Sequence, residues 1–221
     1  MTMQTHEHEF EPEHGLPEPL PPRERILWQG APDWRVLALR AFHVRKLAIY
    51  FALMLLLRGA AALSAGGTVP AALMAMLWLF PLAVIALGIV VSLARLSART
   101  AVYTVTDRRV VMRIGIVLTV TFNLPYRSIR NADLHLDPGG TGDIALAIKA
   151  PDRIAYLHLW PHARPWRIAN PEPMLRAIPD AANVAKVLSA AWSHATGVTV
   201  QQAPAAKPRG AAEPRPAALA H

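Results

Sequence analysis

Residues 69–94 read VPAALMAMLWLFPLAVIALGIVVSLA, without a single charged side chain. A helix needs roughly 20 apolar residues to cross a bilayer core of about 30 Å, so this run predicts a membrane span. Soluble helices seldom run so long without a charge. Pro70 falls in the first turn, where a missing N–H costs nothing, and Pro81 falls mid-span, where a kink is expected.

Upstream, residues 47–57 read LAIYFALMLLL, and Gly66-Gly67-Thr68 supplies a turn between the two apolar runs. Eleven residues cover only about 16 Å at 1.5 Å per residue, so the first helix must continue through Arg58 to about Ala65. Arg58 then lies in the outer half of the bilayer. It either snorkels to the far interface or meets a partner's acidic group within the membrane. The two runs form a helical hairpin over residues 47–94. Arg35, Arg40, Arg45 and Lys46 precede it and Arg95, Arg99, Arg108 and Arg109 follow it, whereas residues 59–68 hold no Lys or Arg. The positive-inside rule therefore predicts a multi-pass membrane protein with both termini cytoplasmic.

With 221 residues, the chain has room for one modest cytoplasmic domain beside the hairpin. The absence of cysteine excludes a disulfide framework and thiol chemistry. Net charge is +8, but the first twenty residues carry five Glu and no Lys or Arg. The remainder balances 23 basic against 10 acidic residues, close to +13. Beside a membrane hairpin that balance favours anionic headgroups over nucleic acid. No basic segment followed by an apolar core opens the chain, so no cleaved signal peptide is expected.

Residues 1–22 are acidic, Pro-rich and His-bearing, and read as a disordered tail rather than a metal site. Residues 23–46 predict a short strand at Ile26-Leu27-Trp28, a turn at Gly30-Ala31-Pro32, and an interfacial helix from Arg35 to Lys46. Arg40, Arg45 and Lys46 are candidates for lipid contact. His43, at the boundary, could ligate a magnesium porphyrin, although an interfacial histidine without that role is the plainer reading.

After the hairpin the hydrophobic period changes to two. Residues 101–106 and 110–114 read as strands joined through Asp107-Arg108-Arg109, and Gly115 separates them from a run over residues 117–124. Further strands are expected at 129–136, 144–149 and 154–159, with a turn at Pro138-Gly139-Gly140-Thr141-Gly142. That turn lacks the Lys-Ser/Thr and helix of a phosphate cradle. Short strands at such spacing predict a small antiparallel sandwich or barrel. Asp180 is expected to cap a helix with Val184, Val187, Leu188, Ala191 and Trp192 on one stripe. The domain so defined covers residues 99–195, and residues 196–221 read as a second disordered tail.

Trp160-Pro161-His162-Ala163-Arg164-Pro165-Trp166-Arg167 is the unusual segment. Pro161 breaks any helix that would align His158 and His162 on one metal. Two tryptophans beside two arginines suit a rigid contact surface for a protein partner, with Trp160, His162, Arg164, Trp166 and Arg167 as its candidates. Packing of both tryptophans on their own domain is the bland alternative. The serines, among them Ser64, Ser92, Ser97 and Ser128, fall in no nucleophile motif, so no enzyme is expected.

Ile26-Leu27-Trp28-Gln29-Gly30-Ala31-Pro32 before a two-helix hairpin, and Tyr103-Thr104-Val105-Thr106-Asp107-Arg108-Arg109-Val110-Val111 after it, resemble the bacterial membrane-anchored pleckstrin-homology-like (PH-like) domains. Gly115, Leu124-Pro125, Ile129 and Gly140-Thr141-Gly142-Asp143-Ile144 extend the match. The resemblance implies an α+β membrane protein: a two-helix transmembrane hairpin plus a small antiparallel β-barrel closed by a C-terminal helix. More narrowly, Arg40-Ala41-Phe42-His43-Val44-Arg45-Lys46, the 160–167 segment and residues 173–180 are similar to the photosynthetic reaction-centre assembly proteins of purple bacteria. Some of those are described with a third span, for which the 114–124 run is too short.

That resemblance covers about residues 21–192 and implies a non-catalytic scaffold for the reaction centre and core light-harvesting complex. Its expected partners are reaction-centre subunits, core antenna polypeptides and membrane lipid, with self-association as a further option. No resident cofactor is expected beyond a transient bacteriochlorophyll contact. The alternative is a membrane-anchored PH-like module that binds another membrane protein or anionic lipid, the latter through Arg108, Arg109, Arg127 and Arg130.

Overall fold

A computed structural model describes residues 15–16, 19–149 and 154–197. Of the tails expected at 1–22 and 196–221, residues 1–14, 17–18 and 198–221 lie outside the described residues, whereas Leu16 is buried and Thr196 ends the last helix. Two helices, α2 (Val44–Ser64) and α3 (Val69–Thr100), are long and apolar enough to cross a membrane. They form a hairpin in which Gly59 is buried against Met76, and a Cβ there would lie 2.8 Å from the Met76 sulfur. Most of the remaining apolar side chains face outward, including Leu56, Leu77 and Trp78. Lipid-bathed helices need only small residues at their shared face, and this pair fits that pattern. Pro70 lies in the first turn of α3, as expected, and Pro81 sits inside α3, which runs on through it.

The single interfacial helix expected at 35–46 is two helices. α1 (Trp34–Arg40) ends before Ala41, and α2 begins at Val44, so Arg45 and Lys46 occupy the first turn of α2. His43 takes a left-handed backbone, φ 55°, which a continuous helix cannot contain. The Asp33 carboxylate accepts the Arg35 N–H at 2.8 Å and caps α1. α1 then lays Leu37 and Ala38 against Ala94 and Ala98 of α3, with Phe42 and Ala177 completing the cluster. Ala38, Ala94 and Ala98 there permit close approach of the two helices.

Beyond the hairpin lie two antiparallel sheets. The first has the order β1 (Ile26–Gly30), β2 (Val102–Thr106), β3 (Arg109–Ile114), β4 (Val120–Pro125). The second contains β5 (Ile129–Leu136), β6 (Gly142–Ile148) and β7 (Met174–Ile178). A 3-10 turn over Tyr126–Ser128 follows Pro125 and separates them. Among the described residues, the expected barrel is therefore two packed sheets without a closing ladder. Tyr103, Met112, Ile114, Ile144, Leu146 and Leu175 fill the core, and α5 (Ala181–Thr196) adds Val184, Leu188 and Ala191 from its apolar stripe. Burying aromatic and branched side chains from both sheets and one helix is what stabilises so small a domain.

Several local expectations change. The strand expected at 154–159 is a short helix, α4 (Tyr156–Leu159), with Leu159 buried. β4 starts at Val120 rather than 117, because residues 115–119 make the turn from β3. Gly115 has φ +127°, and a Cβ there would lie 2.0 Å from the Leu118 carbonyl oxygen. Asp180 precedes α5 without a side-chain cap; its carbonyl receives the Asn183 and Val184 N–H groups.

Candidate functional site

Residues 160–168 form the candidate contact surface. Trp166 is 94% exposed and Trp160 52%, and Ile168 also faces outward. Trp160 meets Phe42 edge-to-face, ring centroids 5.2 Å apart, at the point where the chain enters α2. The loop thus reaches the base of the hairpin. Arg164 spans Asp133 at 2.7 Å and Glu172 at 2.8 Å, which ties the loop to β5 and to the approach of β7. Both carboxylates push the Arg164 pKa up, so it stays charged. Arg167 approaches Glu172 at 3.9 Å and is about half exposed.

His162 is the exception among the expected contact residues. It is fully buried, so it supports the loop from beneath and presents nothing to a partner. Its Nδ1 lies 2.6 Å from the Tyr103 hydroxyl and its Nε2 3.4 Å from Ser97 Oγ. The Arg176 N–H donates to the same phenol oxygen at 3.3 Å. With the phenol proton directed at Nδ1, the ring's own proton sits on Nε2 and faces Ser97. Burial, with the nearby Arg176 charge, lowers the His162 pKa to about 3, so the ring is neutral. Burial likewise pushes the Tyr103 phenol up. His158 is exposed, and among the described residues no three His, Asp or Glu side chains are grouped to hold a metal.

A second polar group joins α1 to the second sheet. Arg40 pairs with Asp137, lies 3.7 Å from Asp143 and donates to His135 Nε2 at 3.0 Å. Asp143 Oδ1 accepts the Ala177 N–H at 2.8 Å, and the Ala177 carbonyl accepts the Asp33 N–H at 2.8 Å. Arg176, whose pKa is lowered by burial, donates to the Pro161 carbonyl at 3.0 Å. Ser97, Tyr103, Asp143 and Arg176 were not legible as site residues. The only local signal was an arginine inside the Pro-flanked apolar run 173–179.

The expected lipid-contact residues fall into two groups. Arg45 and Lys46 are exposed at the start of α2, and Arg40 is committed to its carboxylates. Strand register pairs Gly30 with Tyr103 and Val105 with Val110. The connections to α1 and α3 therefore leave one end of the first sheet, and Arg108 and Arg109 sit at the opposite end. Arg109 is also bound to Glu24 at 2.7 Å. Arg127 follows Pro125, which pairs with Arg109 at that same far end; Arg127 and Arg130 are exposed. Arg58 is exposed on α2, and His43 is exposed with Nδ1 3.2 Å from the Ala41 carbonyl.

A family model described as bacterial PH domain matches residues 41–192. A Rhodobacter capsulatus protein described as an uncharacterized 23.7 kDa protein in the puhA 5′ region is 40% identical over 190 residues, covering 86% of this chain and 89% of that one. A solved DUF1696 family protein with a pleckstrin-homology domain, from Shewanella loihica PV-4, is 12% identical. It covers 41% of this chain and 69% of its own, with a TM-score of 0.27.

Proposed function

The chain belongs to the bacterial PH domain family, and we propose that it acts as a non-catalytic membrane scaffold in assembly of the photosynthetic reaction centre and core light-harvesting complex. Two things direct the reading to photosynthesis: the resemblance of residues 40–46, 160–167 and 173–180 to the PuhB-type assembly proteins, and the puhA neighbourhood in the name of the Rhodobacter capsulatus relative. The observation that carries the scaffold role is the exposed pair Trp160 and Trp166 on a loop whose root, His162, is buried against Tyr103 and the end of α3. A rigid aromatic surface coupled to a spanning helix can hold a partner's cytoplasmic segment in register with its span. Large, pre-ordered aromatics supply such contact area at small entropic cost.

In this reading both termini are cytoplasmic, and the small residues of the hairpin pack beside nascent subunit spans. Arg58 either snorkels or meets a carboxylate of the partner. His43, at the membrane boundary, is where a bacteriochlorophyll contact would fall. The test is capture of the tagged chain in gentle detergent from photosynthetically growing cells, reading co-purified proteins and near-infrared absorbance. Reaction-centre or core antenna polypeptides are expected with the parent chain and lost with Trp160→Ala/Trp166→Ala. Their absence under several mild detergents would overturn the scaffold role.

The second reading is a membrane-anchored PH-like module acting on anionic lipid or another membrane protein. Arg45 and Lys46, exposed in the first turn of α2, favour it. Enrichment of anionic lipid that vanishes with Arg45→Gln/Lys46→Gln, without co-purified photosynthetic proteins, would support this reading over the first.

A further inference from the structure

The β3–β4 turn ends in Ile116-Val117-Leu118, which are 38%, 90% and 82% exposed. Turns that face water carry Gly, Asn, Asp, Ser or Pro, and three consecutive bulky apolar residues on a tip call for a cover. The tip is tightly formed, since Gly115 approaches the Leu118 carbonyl too closely to carry a Cβ.

Its position says what covers it. Register pairs Val102 with Arg113 and Ile114 with Val120, so the tip lies at the end of the first sheet from which both connections to the hairpin leave. α3 has 32 residues and α2 has 21. The excess of eleven carries the chain about 16 Å past the start of α2 before β2 begins. Running back from Arg113, the tip recovers roughly 10 Å at about 3.3 Å per residue. That leaves it within the headgroup layer, about 5–7 Å thick on each side of the core. Of the five arginines in residues 108–132, Arg113 lies at the tip's end of the sheet, and the segment contains no acidic residue to repel an anionic surface.

We propose that Ile116-Val117-Leu118 inserts into the interfacial layer of the membrane crossed by α2 and α3. It is a second anchor, against anionic lipid, that fixes the tilt of the PH-like domain. The proposal rests on the spanning reading of the hairpin but not on the identity of any protein partner.

The chain has no cysteine, so single labelling sites can be introduced cleanly. The full-length chain, one copy per nanodisc of phosphatidylglycerol and phosphatidylcholine, is labelled with an environment-sensitive fluorophore at Val117→Cys, Arg108→Cys or Trp78→Cys. Lipids with a quencher near the headgroup end of the acyl chain are compared with lipids quenching at the bilayer centre. The label at 117 is expected to be quenched about threefold more than that at 108, and more by the shallow quencher than by the deep one. The label at 78 should respond to the deep quencher. Equal quenching at 117 and 108 with 78 still quenched would overturn the tip insertion and leave the hairpin standing. Loss of quenching at 78 as well would overturn both.

Discussion

The Tyr103 hydroxyl and His162 Nδ1 lie 2.6 Å apart, with both side chains wholly buried. One comes from the first strand after the hairpin and the other from the root of the tryptophan loop, 59 residues later. Ser97, on the opposite ring nitrogen, belongs to α3. The contact surface is therefore joined to the end of α3 through a neutral imidazole and to the start of α2 through Trp160 on Phe42.

That arrangement makes stability depend on pH in a defined direction. His162 titrates near its ordinary 6.5 when unfolded and at about 3 when folded, so between these values the unfolded chain binds the extra proton. Stability from this group is complete above about pH 6.5 and declines as pH falls towards 3. At pH 5 the loss is about 2 kcal/mol. The fall in thermal midpoint from pH 7.5 to 5 should be visibly smaller in His162→Gln than in the parent chain. Equal falls would show that His162 is not the responsible group.

Asp143 serves Ala177 as well as Arg40. Ala177 has φ +50°, unfavourable for a residue with a Cβ, and is held there by its N–H to Asp143 Oδ1. Asp143→Ala removes that acceptor and should cost about 1–3 kcal/mol. Asp143→Asn keeps an acceptor oxygen while losing the charge near Arg40, and should cost less than half as much. Denaturant unfolding of the two variants separates the roles; equal losses would assign the effect to the charge.

Gly115→Ala should destabilise the first sheet by about 1–3 kcal/mol, because both its positive φ and the Leu118 carbonyl exclude a methyl group. Accelerated amide exchange should be concentrated in β3 and β4. A uniform change across the domain would contradict a local origin.

Gly59 tests the hairpin interface. A methyl group there meets only the flexible end of Met76, so Gly59→Ala should be tolerated. Gly59→Ile, branched and larger, should force the helices apart. Cross-linking between cysteines placed on facing positions of α2 and α3 should survive the first change and fall severalfold with the second.

The hairpin was legible because an uncharged run of that length leaves few alternatives, and five of the six strands found after it, β2 to β6, announced themselves by alternation and turn residues. β7 did not: its residues MLRAI hold a single β-branched side chain and a buried arginine, and prolines flank the run. In the site, Trp166 faces outward, whereas Trp160 is half exposed and packs on Phe42. The burial of His162 could not be read, because its partners lie 59 and 65 positions away and no local pattern marks a core histidine. The two sheets in place of a barrel follow from the break at Pro125 and Tyr126, which looked like an ordinary loop.

The most direct measurement of the scaffold role is the near-infrared absorbance of membranes from cells lacking this chain, grown beside cells carrying the parent chain and cells carrying Trp160→Ala/Trp166→Ala. The account predicts a severalfold loss of reaction-centre and core antenna bands in the deletion, full recovery with the parent, and little recovery with the variant despite normal amounts of it in the membrane. Unchanged bands in the deletion would contradict an assembly role outright.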